Sequence, residues 1–354
     1  MNTSDQQAGL VVGTRGSLLA RAQTNWVIER LRAAHPGLDV RAEIITTTGD
    51  RLQDRPLPEI GGKGLFTEEL ERALLDGLID LAVHSAKDLP TDLADGLDVL
   101  AFPVREDPRD AWVSADGTPF AKLPPDSVVG TTSLRRQAQL LRLRPDLRFV
   151  GLRGNVDTRI RKIHRGDCAG AVLAMAGLNR SGLSEHVTHP FDPAVCLPAP
   201  GQGSLALEGR KGDERVSKLL SAVHHEESAV AVRCERTVLA MLNAGCRAPV
   251  AILAEIAGDA AAASPLTKGG LRGVDSGLEP PPAATGPVDA TSTSVLRCRA
   301  LVIDPKGTRH VEAQAERPMN KTEDLAAVIV AELRSGGADE IIAECRFEGG
   351  AAAP

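Results

Sequence analysis

The stretch Ser127–Leu143, SVVGTTSLRRQAQLLRL, decides how this chain is read. A short β-branched run meets a Gly-Thr-Thr-Ser turn, and the turn opens a segment with leucines at helical spacing. Ser133 stands where a helix wants an N-cap hydroxyl, and Arg135 and Arg136 fall in the first turn behind it. The same plan of strand, turn and helix recurs along the first two-thirds of the chain. GLVVGTRGS (9–17) ends a strand in a glycine turn, with Ser17 set to cap the helix LLARAQTNWVIERLRA (18–33). LDVRAEIITTTG (38–49) is a β-branched strand, and LAVHS (81–85) a compact buried one. GGKGLFTEELERALLDGLID (61–80) is a glycine-rich loop feeding an amphipathic helix, with acidic residues after Thr67. RFVGLRGNVDTRIRKIHRG (148–166) and AGAVLAMAGLNRSG (169–182) repeat the unit. Alternation at this rhythm predicts mainly parallel, doubly wound α/β sheets.

Sheets of that kind bind ligands beyond the carboxyl ends of their strands. The turns TRGS, GGKG, HSAKD, TTSLRR and LRGNVDTR all fall there, and together they carry Arg, Lys, Ser, Thr and Asp. Between Arg135 and Arg165 ten basic residues face only Asp146 and Asp157. The chain is 2% aromatic and has a net charge of -6, so this strip lacks the stacking platforms of a nucleic-acid reader. It suits small anions gripped by bidentate guanidiniums and by backbone N–H groups at helix starts. Asp88 is the exception, an acid beside Lys87 in a basic cleft. It is either a structural counter-ion or a catalytic group, and spacing does not separate the two.

From about Glu226 the pattern changes. EESAVAVRCERTVLAMLNAG (226–245) reads as a long helix stopped at Gly245. The stretch from about 258 to 292 is rich in Ala, Gly, Pro and Ser and reads as a flexible insertion. VLRCRALVIDPKGTRHVEAQAE (295–316) reads as two strands around a turn, and 322–345 as two helical segments split by Gly-Gly. The organisation expected is therefore α/β domain 1 from 1–103 with 204–224, α/β domain 2 from 104–203, and a smaller α+β domain 3 from 225–354.

Six cysteines are present, with no C-x-x-C pair. Five sit in apolar or helical segments and read as packing residues. The sixth, Cys246 in LNAGCRAPVA, falls on a turn where a thiol is exposed and reactive. HVTH (186–189) and His224-His225 lack ligand spacing, so no metal is expected. The first ten residues have no basic start or apolar run, and no apolar stretch is long enough to span a bilayer. The expected location is the cytoplasm.

AVHSAKDLPT, EDPRDAWVS, VGTTSLRRQAQL, LRGNVDTR, LPAPGQGSLALE and NAGCRAPVA, in this order, resemble the hydroxymethylbilane synthase (porphobilinogen deaminase) family from about Val11 to Val250. The resemblance implies two periplasmic-binding-protein-like domains and a third that carries the reactive cysteine. It implies an enzyme that joins four porphobilinogen molecules head to tail, releases ammonia at each step and frees a linear tetrapyrrole. It also implies a dipyrromethane cofactor held by a thioether to Cys246. By the same resemblance Asp88 is catalytic, and Lys87, Thr131, Ser133, Arg135, Arg136 and Arg159 hold the cofactor. Arg15, Ser17, Arg153 and Arg180 face the incoming ring or growing chain. Lys63 and Phe66 belong to a mobile loop, and Gln202 to a hinge. A monomer is implied, with no nucleic acid or membrane as partner. Glu59, NAGC in place of EGGC, and the 258–292 insertion depart from the family pattern. A non-catalytic two-domain solute-binding protein for small carboxylates would share the cleft but has no use for Cys246. A cysteine hydrolase would need a histidine partner, and no local signature for one is visible.

Overall fold

The computed structural model describes residues 9–51, 67–244, 249–257 and 294–347. Glu59, Lys63, Phe66, Cys246 and the 258–292 insertion lie outside these described residues.

Two five-stranded sheets and one three-stranded sheet organise the rest. The first sheet holds β1 (Leu10–Thr14), β2 (Val40–Ile44), β3 (Leu81–Ser85), β4 (Leu97–Ala101) and β10 (Leu205–Arg210), in the order β2-β1-β3-β10-β4. The second holds β5 (Asp110–Ser114), β6 (Val128–Gly130), β7 (Arg148–Val150), β8 (Gly170–Ala174) and β9 (His189–Pro190), in the order β7-β6-β8-β5-β9. The two orders match position for position, and each sheet is mixed. β1 runs parallel to β2 and β3, but β10 runs against both β3 and β4. Likewise β6 is parallel to β7 and β8, whereas β5 opposes β8 and β9. Four of the five strands in each sheet therefore run the same way, as the mainly parallel reading expected, with β10 and β5 the single reversed strands. The chain crosses between the sheets after β4 and returns after β9. Each crossing delivers a strand from the far side, so that strand inserts against its neighbours. β5 and β10, which the alternating pattern did not announce, follow from these crossings.

Helices cover both faces. α1 (Leu18–Ala34) starts as expected, with the Ser17 hydroxyl accepting from the Ala20 N–H at 3.2 Å. After the short α2 (Thr48–Arg51), α3 (Glu68–Leu75) carries its acidic first turn, but the Thr67 side chain makes no capping bond. α4 (Leu134–Leu143), α5 (Val156–His164) and α6 (Met175–Arg180) begin at the carboxyl ends of β6, β7 and β8. α7 (Glu214–Leu220) packs behind β4. The cores are aliphatic: Leu10, Val12, Leu31, Leu81, Leu205 and Leu207 fill one face of the first sheet. Trp112, Phe120 and Phe191 add an edge-on aromatic stack to the second. Burying each such side chain stabilises the fold by about 1.5–3 kcal/mol.

The third sheet is an antiparallel meander of β11 (Val250–Ala257), β12 (Val295–Ile303) and β13 (His310–Pro318). It packs against α8 (Glu226–Leu242), α9 (Thr322–Ser335) and α10 (Ala338–Phe347), the last two parted by Gly336-Gly337. α8 stops three residues before the expected Gly245. Asn243 takes the left-handed conformation, φ 46°, that asparagine tolerates better than most residues.

One buried ion pair ties this sheet to the crossings. Arg105, on the outward crossing, donates to both oxygens of the fully buried Glu235 in α8 at 2.7 and 3.1 Å. Glu235 also accepts from the Gly201 N–H on the return crossing (2.6 Å) and from the Ala254 N–H in β11 (2.8 Å). A buried carboxylate is tolerated because every lone pair direction finds a donor.

Candidate active site

The polar turns named from the sequence converge. A cleft of about 380 Å³ opens between the carboxyl ends of the two five-stranded sheets. Arg15 and Ser17 reach it from the end of β1, and Lys87 and Asp88 from the end of β3. Arg136 comes from the start of α4, Arg153 and Arg159 flank the start of α5, and Arg180 ends α6. Gln202 enters from the return crossing. Among the described residues, six cationic side chains and one carboxylate, Asp88, line the wall. That donor set fits a group bearing several carboxylates.

Lys87 and Asp88 lie in a single helical turn, Ala86–Asp88, held from several sides. The Ala86 N–H donates to the Ser204 carbonyl at 2.9 Å. Arg236 of α8 donates to the carbonyls of Leu89 (2.9 Å) and Pro90 (2.5 Å). Gln23 donates to the Ser85 hydroxyl at 2.9 Å. The return crossing presses against this turn at Gly201, φ +75°, where an added Cβ would meet the Lys87 nitrogen at 3.0 Å. Gly203, φ +90°, approaches the outward crossing so closely that a Cβ would stand 2.3 Å from the Glu106 carbonyl oxygen. Only glycine meets both demands.

Burial, with neighbouring positive charge as a lesser cause, lowers the pKa values of three cleft cations. Burial, and then repulsion from Arg136 and Arg135, bring Lys87 down to about 8, against the pull of Asp88 and Asp110. The Lys87 side chain remains exposed to the open cleft. Burial also lowers Arg159 to about 10, helped by Arg136 and Arg153 and opposed by Asp88. Arg180 reaches about 10, again through burial, with Glu106 opposing and Arg30 assisting. Both guanidiniums stay charged at neutral pH.

Three expected cofactor contacts, Arg135, Ser133 and Thr131, are not among the residues lining the cleft. The Arg135 guanidinium turns beneath the wall, where Nη1 pairs with Asp110 Oδ2 (2.8 Å) and donates to the Leu197 carbonyl (2.6 Å). Ser133 uses its hydroxyl as the α4 cap, accepting from the Arg136 N–H at 3.4 Å. Thr131 is buried and accepts from the Ser133 N–H at 3.1 Å. Thr132, from the TTSLRR turn, lines the cleft, as does Gln23, which the sequence did not announce. Asp110 was also missed, although EDPRDAWVS contained it; its partners lie 25 or more residues away. The cysteines behave as expected where described: Cys168, Cys196, Cys234, Cys298 and Cys345 are free and buried. Burial and the neighbouring Asp110 push the Cys196 thiol up to about 12, so it stays protonated and inert.

A family described as "Porphobilinogen deaminase, dipyromethane cofactor binding domain" matches residues 10–218. A Porphobilinogen deaminase of Desulforudis audaxviator is 43% identical over 95% of this chain and 98% of its own length. Another, of Syntrophotalea carbinolica, is 52% identical over 71% of this chain and 79% of its own. Among solved structures, the methionine binding protein MetQ covers 62% of this chain and 92% of its own, at 17% identity and a TM-score of 0.39.

Proposed function

The chain belongs to the porphobilinogen deaminase family, and on that premise we propose which of its residues do the work. The enzyme acts in tetrapyrrole biosynthesis: it takes porphobilinogen as substrate, carries a dipyrromethane cofactor, and joins four porphobilinogens head to tail with release of ammonia. The solute-binding alternative is set aside by the family match. The observation that carries the assignment of roles is the convergence, among the described residues, of six cationic side chains around a single wall carboxylate.

Each porphobilinogen bears an acetate and a propionate. Arg136 and Arg159, with Lys87, hold carboxylates of the cofactor; Arg15, Arg153 and Arg180, with Ser17, receive those of the incoming ring and growing chain. Thr131, Ser133 and Arg135 act from beneath the wall by fixing the start of α4. Asp88 faces the reacting ring. Its carboxylate offsets positive charge developing on the pyrrole as the amine departs; after coupling it can accept the proton lost from the pyrrole carbon, which is then available to the next departing amine. When bound, the dipyrromethane supplies a nucleophilic pyrrole carbon from which the product is extended. Cys246 is its attachment point. This assignment is supported by the family motif NAGCRAP and by the burial of the other five cysteines. Gln202 is assigned to the hinge; the family's mobile-loop motif falls on Lys63 and Phe66, outside the described residues.

The three sheets support a division into 1–103 with 204–224, 104–203, and 225–354. Among the described residues no helix is long and apolar enough to cross a membrane; a cytoplasmic monomer is the proposed state. Intact-protein mass before and after porphobilinogen tests the whole reading. Wild-type chain should carry an adduct of two pyrrole units at Cys246 and gain single-pyrrole steps with substrate. A chain without an adduct, or with one on Cys196 or Cys234, overturns it.

A further inference from the structure

Beneath the cleft wall lies a carboxylate that touches no ligand space. Asp110, the first residue of β5, is fully buried, and both its oxygens are fully subscribed. Oδ1 accepts from Arg136 Nε (3.0 Å), Arg136 Nη2 (2.6 Å) and Gln202 Nε2 (2.9 Å). Oδ2 pairs with Arg135 Nη1 at 2.8 Å and accepts from the Cys196 thiol at 3.5 Å. Burial alone would raise the Asp110 pKa, but the two guanidiniums hold it far below the usual carboxylate range. The group is a permanent anion.

Two of its partners, Arg136 and Gln202, line the cleft. With Asp110 and the Pro108 carbonyl (2.7 Å) both accepting from Gln202 Nε2, the amide has one orientation available. Gln202 Oε1 then faces Lys87 Nζ and Arg136 Nη2, each at 3.5 Å. Arg136 is constrained in the same way. Among the described residues, it uses four of its five N–H donors, on Asp110, Gln202 and the Val172 carbonyl. A guanidinium pinned on three sides reaches a ligand carboxylate in one pose, with little rotamer freedom left to lose on binding.

We infer that Asp110 is a positioning residue of this site: its buried carboxylate locks Arg136, Arg135 and Gln202 into one network, so that the cationic wall meets its anionic ligand already oriented. The inference rests on the proposed role of the wall in binding pyrrole carboxylates. It adds that anion affinity depends on a group that never touches the anion. Asp110 acts through Arg136 and through the charge balance beneath Lys87. It has no access to the reacting carbons, so its loss should weaken binding and leave the chemical step at Asp88 intact.

The test uses full-length chain and two comparisons. Asp110→Asn keeps shape and some hydrogen bonding but removes the charge. Cofactor occupancy by intact mass should fall by about tenfold or more. In the loaded fraction KM for porphobilinogen should rise by a similar factor, with kcat within about threefold. Wild-type occupancy and KM would overturn the inference, and so would a fall in kcat at unchanged KM. If Asp110→Asn does not fold, Arg135→Gln is compared with Arg135→Gln/Asp110→Asn. The double variant retains the wild-type net charge of the trio, +1 from two guanidiniums and one carboxylate, while freeing Arg136. Its occupancy should be lower and its KM higher than those of Arg135→Gln; equal values would show that Asp110 does not position Arg136. Failure of wild-type chain to take up any pyrrole would instead sink the assignment of function, so the two readings fail separately.

Discussion

Replacing Asp88 by Asn removes one charge and almost no volume, and the cleft indicates how much that should matter. Loss of ammonia from porphobilinogen leaves positive charge on a ring surrounded by Arg15, Lys87, Arg136, Arg153, Arg159 and Arg180. Among the described residues, Asp88 is the one wall carboxylate able to offset it. Two opposite unit charges about 4 Å apart interact by about 1 kcal/mol in water and by about 4 kcal/mol at the effective permittivity of a protein surface. Asp88 is exposed to the cleft, so a value between these applies, about 2.7 kcal/mol once the ring excludes water. That corresponds to about a hundredfold in rate. An asparagine also cannot shuttle the proton, which places the hundredfold as a minimum. The assay is single-turnover ammonia release by Asp88→Asn chain whose cofactor loading has been verified by mass. A release rate within a few-fold of wild type refutes the reasoning and leaves Asp88 as a counter-ion to Lys87. The counter-ion role is itself measurable. Asp88 is the strongest group raising the Lys87 pKa, so the variant should titrate Lys87 below about 8.

Lys87 yields a pH prediction with two opposite signs. Its pKa is depressed from 10.5 to about 8, so its ammonium is lost in the folded chain as pH rises through about 8. Cofactor uptake by chain produced without porphobilinogen should therefore slow from pH 7 to 9, and Lys87→Arg should remove that step. Between about 8 and 10.5 the unfolded chain binds the additional proton, so this group's contribution to stability rises with pH; a falling contribution in melts of wild type against Lys87→Met would contradict the depressed value. Glu235→Gln leaves the Arg105 guanidinium buried without its counter-charge and should cost about 3–5 kcal/mol in denaturant unfolding; a loss below about 1 kcal/mol would show that solvent reaches the pair. Ala257 and Val295 are register partners at the ends of β11 and β12, so a short Gly-Ser turn can join them. Replacing residues 258–292 in this way should leave turnover near wild type, and a large loss with the fold intact would mean that the segment contributes to the cleft.

Asp88, Lys87 and the arginines were legible in the sequence for a local reason. A strand, a glycine turn and a capped helix start place the intervening polar residues at the strand's carboxyl end, whatever the rest of the chain does. The Ser17 cap, the Gly336-Gly337 break and the burial of five cysteines are equally local, set by spacing and composition over a few residues. Strand direction was not. β5 and β10 run against their neighbours because the chain changes sheets before each of them, and nothing within either strand records from which end it will be entered. The aim of side chains was also out of reach. Arg135 and Arg136 are adjacent in sequence and equally basic, yet one lines the cleft and the other lies beneath it. Asp110 pairs with both from 25 and 26 residues away, Gln202 joins from 92 residues away, and Glu235 gathers Arg105 from a separation of 130. The sequence alone determined that a cationic cleft with one acid would form. Only the tertiary structure decided which cations face it, because buried charges must find partners wherever the fold brings them, and that pairing leaves no periodic trace along the chain.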